Sequence, residues 1–343
     1  MIELYIHPGY GKTATTFLQR NIFSSLINVT QLGKPIDRKN KLIELQNQLF
    51  KPNYSSINLP EEKISNLRRE YSNHIKEIIK KDKNKKFLLS DEVIFDKINY
   101  FGDTNILILK DVFNDLKEEF EIKLRFILSI RRQPELIISN YSYTYERFYK
   151  LYGDFDNFLK NIFDDQTKEF LKIFDFYNLY KKIKDIYNCE ILLLPMEELS
   201  NNSSAYINNI QNFFNSKIDP KKMKFNNVNI NSLDIEGEKF YYLREKKNAG
   251  IYNFFSQIHL KLRRYQFYNK NYKKIGFFRK FYDLIKAYNR KHRHESWSKN
   301  MTTSKKISLN SVERKKILDF FSNSNKTLEE IIKKDLKQYG YYE

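Results

Sequence analysis

Ile2-Glu3-Leu4-Tyr5-Ile6-His7-Pro8-Gly9-Tyr10-Gly11-Lys12-Thr13-Ala14-Thr15-Thr16-Phe17-Leu18-Gln19 is the stretch on which the reading of this chain turns. A short apolar run, Ile2 to Ile6, leads into a loop holding Gly9 and Gly11. Lys12 and the hydroxyls of Thr13, Thr15 and Thr16 follow where a helix should begin. A strand, a glycine-containing loop and a helix start aim unpaired backbone N–H groups and the positive end of the helix dipole at one point. Add the lysine ammonium and the threonine hydroxyls, and that point suits a phosphate or a sulfate. A plain βα turn would need only Gly for the bend and Thr for the cap. It has no use for a lysine followed by so many threonines.

The nucleoside-triphosphate loop G-x-x-x-x-G-K-[ST] does not fit, because its first glycine would fall at position 6, which is Ile6. The stretch resembles instead the opening of the sulfotransferases, a proline ahead of K-T-G-T-[TS]-x-[LF]-Q that cradles the 5′-phosphosulfate of 3′-phosphoadenosine-5′-phosphosulfate (PAPS). Pro8, Lys12, Thr13, Thr15, Thr16, Leu18 and Gln19 match, and Ala14 stands where the family has Gly. By this resemblance Gly9, Tyr10, Gly11, Lys12, Thr13, Ala14, Thr15 and Thr16 are the cofactor-binding loop.

A second constellation lies at Arg131-Arg132-Gln133-Pro134-Glu135-Leu136-Ile137-Ile138-Ser139-Asn140-Tyr141, directly after the apolar run Leu124 to Ile130. An Arg at a strand end and a Ser two turns into the next helix can face one point. A forked cation and a hydroxyl suit a terminal phosphate. This is similar to the R-R-Q-x-x-x-x-x-S-x-Y element of bacterial sulfotransferases, which implies that Arg131 and Ser139 hold the 3′-phosphate of PAPS and that Arg132 is an ion-pair partner. The segments 176–197 and 321–328, with Tyr339-Gly340-Tyr341, look like later parts of the same family.

The resemblance implies in-line transfer of a sulfuryl group from PAPS to an acceptor hydroxyl or amine, leaving 3′-phosphoadenosine-5′-phosphate (PAP). Lys12 then serves the charge developing on the leaving oxygen. A base must take the acceptor proton. Glu92, at the end of the run Lys86 to Ser90, is the first candidate and Asp91 the second; either also suits a helix N-cap or an orienting role. No metal is required for such a transfer. The acceptor implied by bacterial relatives is a sugar of a surface glycan, with a small molecule as the other option.

Along the chain, the expectations are a helix from about residue 13 to 26, an irregular polar stretch over 28–62 broken by Pro35, Pro52 and Pro60, and a helix from about 60 to 81. Strands are expected at 86–90, 124–130 and 190–194. Residues 105–109 are open to either a strand or a helix start, and 154–187 carry helical periodicity. Strands alternating with helices indicate an α/β fold, here a P-loop-like parallel sheet flanked by helices. Lys12, Glu92 and Arg131 each follow a strand, where such sheets bind ligands.

The expected division is a core at 1–230, a basic aromatic helical insertion at 231–300, and C-terminal helices at 301–343 that break near Ser324. Within the insertion, Arg263, Arg264, His292 and His294 are the candidates for an acceptor wall.

Composition sets outer bounds. The chain has 343 residues, 16% aromatic, with a formal net charge of +19 and a pI near 9.5. Such a balance reads either as a lysine- and asparagine-rich compositional bias or as attraction to a polyanion, including peripheral contact with an acidic membrane surface. One cysteine, Cys189, cannot form an internal disulfide, and no apolar run approaches eighteen residues, so a cytoplasmic protein is expected, and the resemblance implies a bacterial one. Two other classes compete. A P-loop kinase-like phosphotransferase lacks its glycine at position 6. A non-enzymatic nucleic-acid-binding protein would use the cations and aromatics of 250–293 but leaves both phosphate motifs without a role, so no nucleic acid is expected.

Overall fold

The structure, a computed structural model, describes residues 1–33, 40–50, 60–95, 102–143, 153–163, 171–222, 232–235, 238–242 and 306–343. The chain divides into two compact units: the first takes in 1–137, 162–229 and 309–343, the second 138–161 and 230–308.

The first unit is built on five strands: β1 (Ile2–His7), β2 (Val29–Gln31), β3 (Lys86–Ser90), β4 (Ile122–Ile130) and β5 (Glu190–Pro195). All neighbours are parallel, in the order β2-β3-β1-β4-β5. Parallel neighbours require crossover connections, and helices supply them. Among the described residues the α-helices are α1 (Thr15–Phe17), α2 (Lys41–Phe50), α3 (Glu61–Lys81), α4 (Gly102–Lys117), α5 (Gln133–Tyr143), α6 (Phe155–Phe163) and α7 (Phe176–Tyr187), which lie between strands of the sheet, and α8 (Met196–Asn201), α9 (Ser203–Phe214) and α10 (Ser311–Ile332), which follow β5. The chain passes from the first unit to the second within α5 and returns within α6.

Strand periodicity divides the core between the two faces of the sheet. Tyr5, Leu88, Ile127 and Leu194 face one way and pack with Phe17, Leu18, Ile22 and Phe23 and with Tyr206, Ile210 and Phe214 of α9. The alternate residues face the other way, where Phe126 lies 4.9 Å from the Tyr187 ring of α7. A sheet covered on both faces explains why its strands read as continuous apolar runs.

Several expectations change. Residues 13–26 are not one helix: α1 gives way to a π-helical turn at Leu18–Ile22 and a 3₁₀ turn at Phe23–Ser25. The stretch 28–62 holds strand β2 and helix α2, whose Leu42, Ile43, Leu45, Gln46, Leu49 and Phe50 are buried at helical spacing. Residues 105–109 are helical, inside α4, which buries Ile106, Leu109, Val112, Phe113 and Leu116. The C-terminal helices are one helix, α10, begun by a capping box between Asn310 and Glu313 and unbroken at Ser324 and Asn325.

The second unit contains an antiparallel sheet of β6 (Ser232–Ile235), β7 (Glu238–Tyr242) and β8 (Lys306–Ile307). Residues 238–242 are therefore strand, where a helical segment was expected. Tyr141 packs on Phe155 and Phe158, and its hydroxyl donates to the Gly153 carbonyl at 3.1 Å.

Strand order fixes where a ligand can enter. The chain leaves β1 toward the β2 edge, and leaves β3 and β4 toward the β5 edge. The connections therefore diverge at the carboxyl end of β1, which opens a crevice there.

Candidate functional site

The loop after β1 occupies that crevice. Its backbone takes positive φ at Gly9 (37°), Lys12 (74°) and Ala14 (60°). At Gly9 the requirement for glycine is also steric, because a Cβ would lie 2.6 Å from Thr15 Cγ2 and 3.3 Å from the His7 ring. A Cβ at Gly11 would meet nothing within 4 Å among the described residues. Lys12 and Ala14 hold the left-handed conformation without being glycine, at a cost of about 1–2 kcal/mol each. With Thr13 between them, this is the kind of alternation that turns successive N–H groups toward one concavity and suits an anion.

The loop side chains have distinct surroundings. Tyr10 is buried, donates to the Ile173 carbonyl at 2.9 Å and meets Phe176 edge-on. Burial, then the Asp175 carboxylate, raises its phenol well above the usual range. Its ring is thus an anchor, and only its backbone faces the loop. Thr13 is buried and donates to the Tyr10 carbonyl at 2.7 Å, which closes the turn. Thr15 is buried and donates to Glu92 Oε1. Thr16 is exposed and Lys12 half-buried.

Beneath the loop lies a polar row of which the motifs contain only Gln19. His7, fully buried, sits 2.8 Å from Ser90 Oγ through Nδ1 and 2.8 Å from Ser129 Oγ through Nε2. Gln19 adds a bond to Ser90 Oγ at 3.2 Å. Burial pushes the His7 imidazole down to about 3. The ring is therefore neutral at physiological pH. A signal for this row existed in the sequence: Tyr5 and His7, Leu88 and Ser90, and Ile127 and Ser129 alternate on one face, each ending in a polar residue.

Strands β3 and β4 bring their own residues to the loop. Arg131, just past β4 and 7% exposed, donates from Nη1 to the Lys12 carbonyl at 3.2 Å. Glu92 opens a 3₁₀ turn after β3 and reaches Thr15. Asp91, fully buried, takes the Gln46 amide at 2.8 Å, and Gln46 in turn accepts from the Tyr71 hydroxyl at 3.2 Å. Arg131 thus bonds the loop at Lys12 and Glu92 bonds it at Thr15, so residues after β4 and β3 each reach it. Arg132 faces Glu135 at 3.3 Å and Glu197 at 3.7 Å, an ion-pair partner as expected. Ser139 is buried in the part of α5 that belongs to the second unit. Arg263, Arg264, His292 and His294 lie outside the described residues.

No family model matches this chain, and no curated protein matches it. Among the described residues, no helix is long and apolar enough to cross a membrane.

Proposed function

We propose that this protein is a PAPS-dependent sulfotransferase whose donor site is the loop after β1 together with Arg131. The observation that carries the reading is the 3.2 Å bond from Arg131 to the Lys12 carbonyl. It joins two phosphate-type motifs, 119 residues apart in sequence, at the crevice where a parallel sheet of this order opens. A left-handed backbone kept at Lys12 and Ala14 supports it, since strain of this kind concentrates at ligand sites.

In this reading the loop N–H groups and Lys12 hold the 5′-phosphosulfate, and Arg131 the 3′-phosphate. Ser139 enters by sequence resemblance alone. The reaction breaks the bond between sulfur and the bridging phosphate oxygen and forms one between sulfur and the acceptor oxygen or nitrogen. The acceptor proton goes to a base, and PAP leaves. Lys12 offsets the negative charge that grows on the bridging oxygen. Glu92 is the base favoured by its surroundings: it is half-buried at the loop, whereas Asp91 is enclosed and already holds the Gln46 amide. A glycan hydroxyl is the acceptor class proposed.

The deciding experiment is calorimetric binding of PAP against AMP, which differ by the 3′-phosphate. PAP should bind more tightly, and Arg131→Ala should weaken PAP by about 2–4 kcal/mol while sparing AMP. Lys12→Ala should keep the fold and lose most sulfuryl transfer. Equal affinity for both nucleotides sinks the reading. Magnesium-dependent phosphoryl transfer from ATP, with no use of PAPS, replaces it with the phosphotransferase.

A further inference from the structure

The residue after Arg131 is gripped by a part of the chain more than sixty residues away. The Arg132 main-chain N–H donates to Glu197 Oε1 at 3.1 Å. That N–H shares a planar peptide with the Arg131 carbonyl, so holding it fixes the backbone of Arg131. The other Glu197 oxygen accepts from the Tyr341 hydroxyl at 2.8 Å. Tyr341 is fully buried, and its own carbonyl takes the Asn325 amide at 2.8 Å. Asn325 also exchanges two amide bonds with Gln133, at 3.0 and 3.2 Å.

Gly340, just before Tyr341, has a φ of 73°, and a Cβ there would sit 3.3 Å from Arg132 Nη1. Segment 339–343 therefore runs against the Arg132 guanidinium, with its backbone in a conformation glycine holds without strain. On the other side of Arg132, the Glu135 carboxylate pairs with both Arg132 (3.3 Å) and Arg314 of α10 (2.5 Å). Both residues that follow Arg131 are thus anchored, Arg132 through Glu197 and Gln133 through Asn325, and both anchors lead to Tyr341. A tyrosine hydroxyl has one proton to give. Without it, Glu197 Oε2 loses its tie to segment 339–343, and the carboxylate is left with Arg132 alone among its described partners, through the main-chain N–H and the guanidinium at 3.7 Å, so nothing from that segment holds the Arg132 backbone through Glu197.

We propose that Glu197 and Tyr341 are positioning residues that hold Arg131 against the loop and thereby set the protein's preference for a nucleotide bearing a 3′-phosphate. The preference rests on the donor reading above; the positioning of Arg131 does not.

Two conservative variants, Tyr341→Phe and Glu197→Gln, test this in the full chain. With no nucleotide present, phenylglyoxal labelling followed by peptide mass spectrometry reads the exposure of Arg131 directly. Labelling of Arg131 should be several-fold faster in either variant, while exposed Arg20 labels at its wild-type rate. PAP affinity should fall about tenfold with AMP affinity unchanged. In an Arg131→Ala background, adding Tyr341→Phe should weaken PAP no further.

Wild-type labelling rates at Arg131 in both variants overturn the positioning, whatever the nucleotides do. Equal losses for PAP and AMP, or a full further loss on top of Arg131→Ala, give these residues a merely structural role and overturn it too. If the wild-type protein does not prefer PAP to AMP, the donor reading fails and the proposed preference with it, and labelling alone decides the positioning.

Discussion

Glu92 and Asp91 are sequence neighbours with opposite surroundings, and that contrast separates their roles. Glu92 stands at the open loop and shares the Thr15 hydroxyl, whereas Asp91 is enclosed with Gln46 and Tyr71 behind it. On the donor reading, Glu92→Gln lowers kcat and leaves PAP affinity close to wild type, because a base touches the acceptor and not the nucleotide. Asp91→Asn instead lowers thermal stability. An unchanged kcat in the first variant with an inactive but folded second one transfers the base to Asp91. His7 carries a different kind of prediction. In the fold it stays neutral down to about pH 3, while the unfolded chain takes up that proton near pH 6.5. Between those values the unfolded state holds the extra proton, so stability falls as pH drops, by about 1.4 kcal/mol per unit in the steep part. His7→Gln should cost stability at pH 7 yet flatten the slope of unfolding free energy against pH between 6 and 4 by about one proton. A slope equal to wild type assigns the titration to another group.

At the scale of elements, the docking of α10 on the start of α5 has its own acid sensitivity. Burial pushes the Glu135 carboxyl up, but the guanidinium groups of Arg132 and Arg314 outweigh it and hold it below the usual carboxylate range. A depressed carboxyl stabilises the fold above its unfolded value near 4.3 and loses that contribution as pH falls through its folded value. Arg314→Met should therefore destabilise at pH 7, by about 1–2 kcal/mol given that Arg132 remains and Arg314 is partly solvated. Below pH 4 the two proteins should converge; a gap that stays constant with pH would remove Glu135 from the account. Elements of this kind were only partly legible in the sequence. The strands β1, β3, β4 and β5 stand out because burial on both faces demands unbroken apolar runs. Three-residue β2 is too short for any period. Helix α2 has a clear buried face, but its sequence lies between Pro35 and Pro52, which read as breakers. Ser324 and Asn325 look like a helix stop, yet Asn325 is bonded to Gln133 and Tyr341 and Ser324 to Asp175, so tertiary bonds keep α10 continuous. The same cause hides the part played by Glu197 and Tyr341: local pattern gives Lys12 and Arg131 a role, whereas the resemblance takes in the segments of Glu197 and Tyr341, 66 and 210 positions beyond Arg131, without assigning either a role.

At the scale of the whole molecule, charge is divided unevenly between the two units. Residues 230–308 carry 19 Lys and Arg against 6 Asp and Glu, so they hold most of the chain's net +19 in under a quarter of its length. A compositional lysine bias would raise the charge of both units together. The excess on one segment, interleaved with Tyr and Phe, is what an anionic, sugar-bearing acceptor would meet as a field before contact. That field is screened over about 8–10 Å at physiological salt, so its mark is a salt-dependent acceptor KM. Replacing Arg263 and Arg264 with Glu removes four units of charge from the segment. On the acceptor-wall reading, acceptor KM rises severalfold at low salt and its dependence on salt flattens, while the KM for PAPS stays within about twofold of wild type. On that reading, comparing the acceptor with PAPS separates a directed field from a general one. If both KM values shift together, the positive charge acts on any anion alike. If neither shifts, the arginines belong to a solvated surface and the acceptor-wall reading fails.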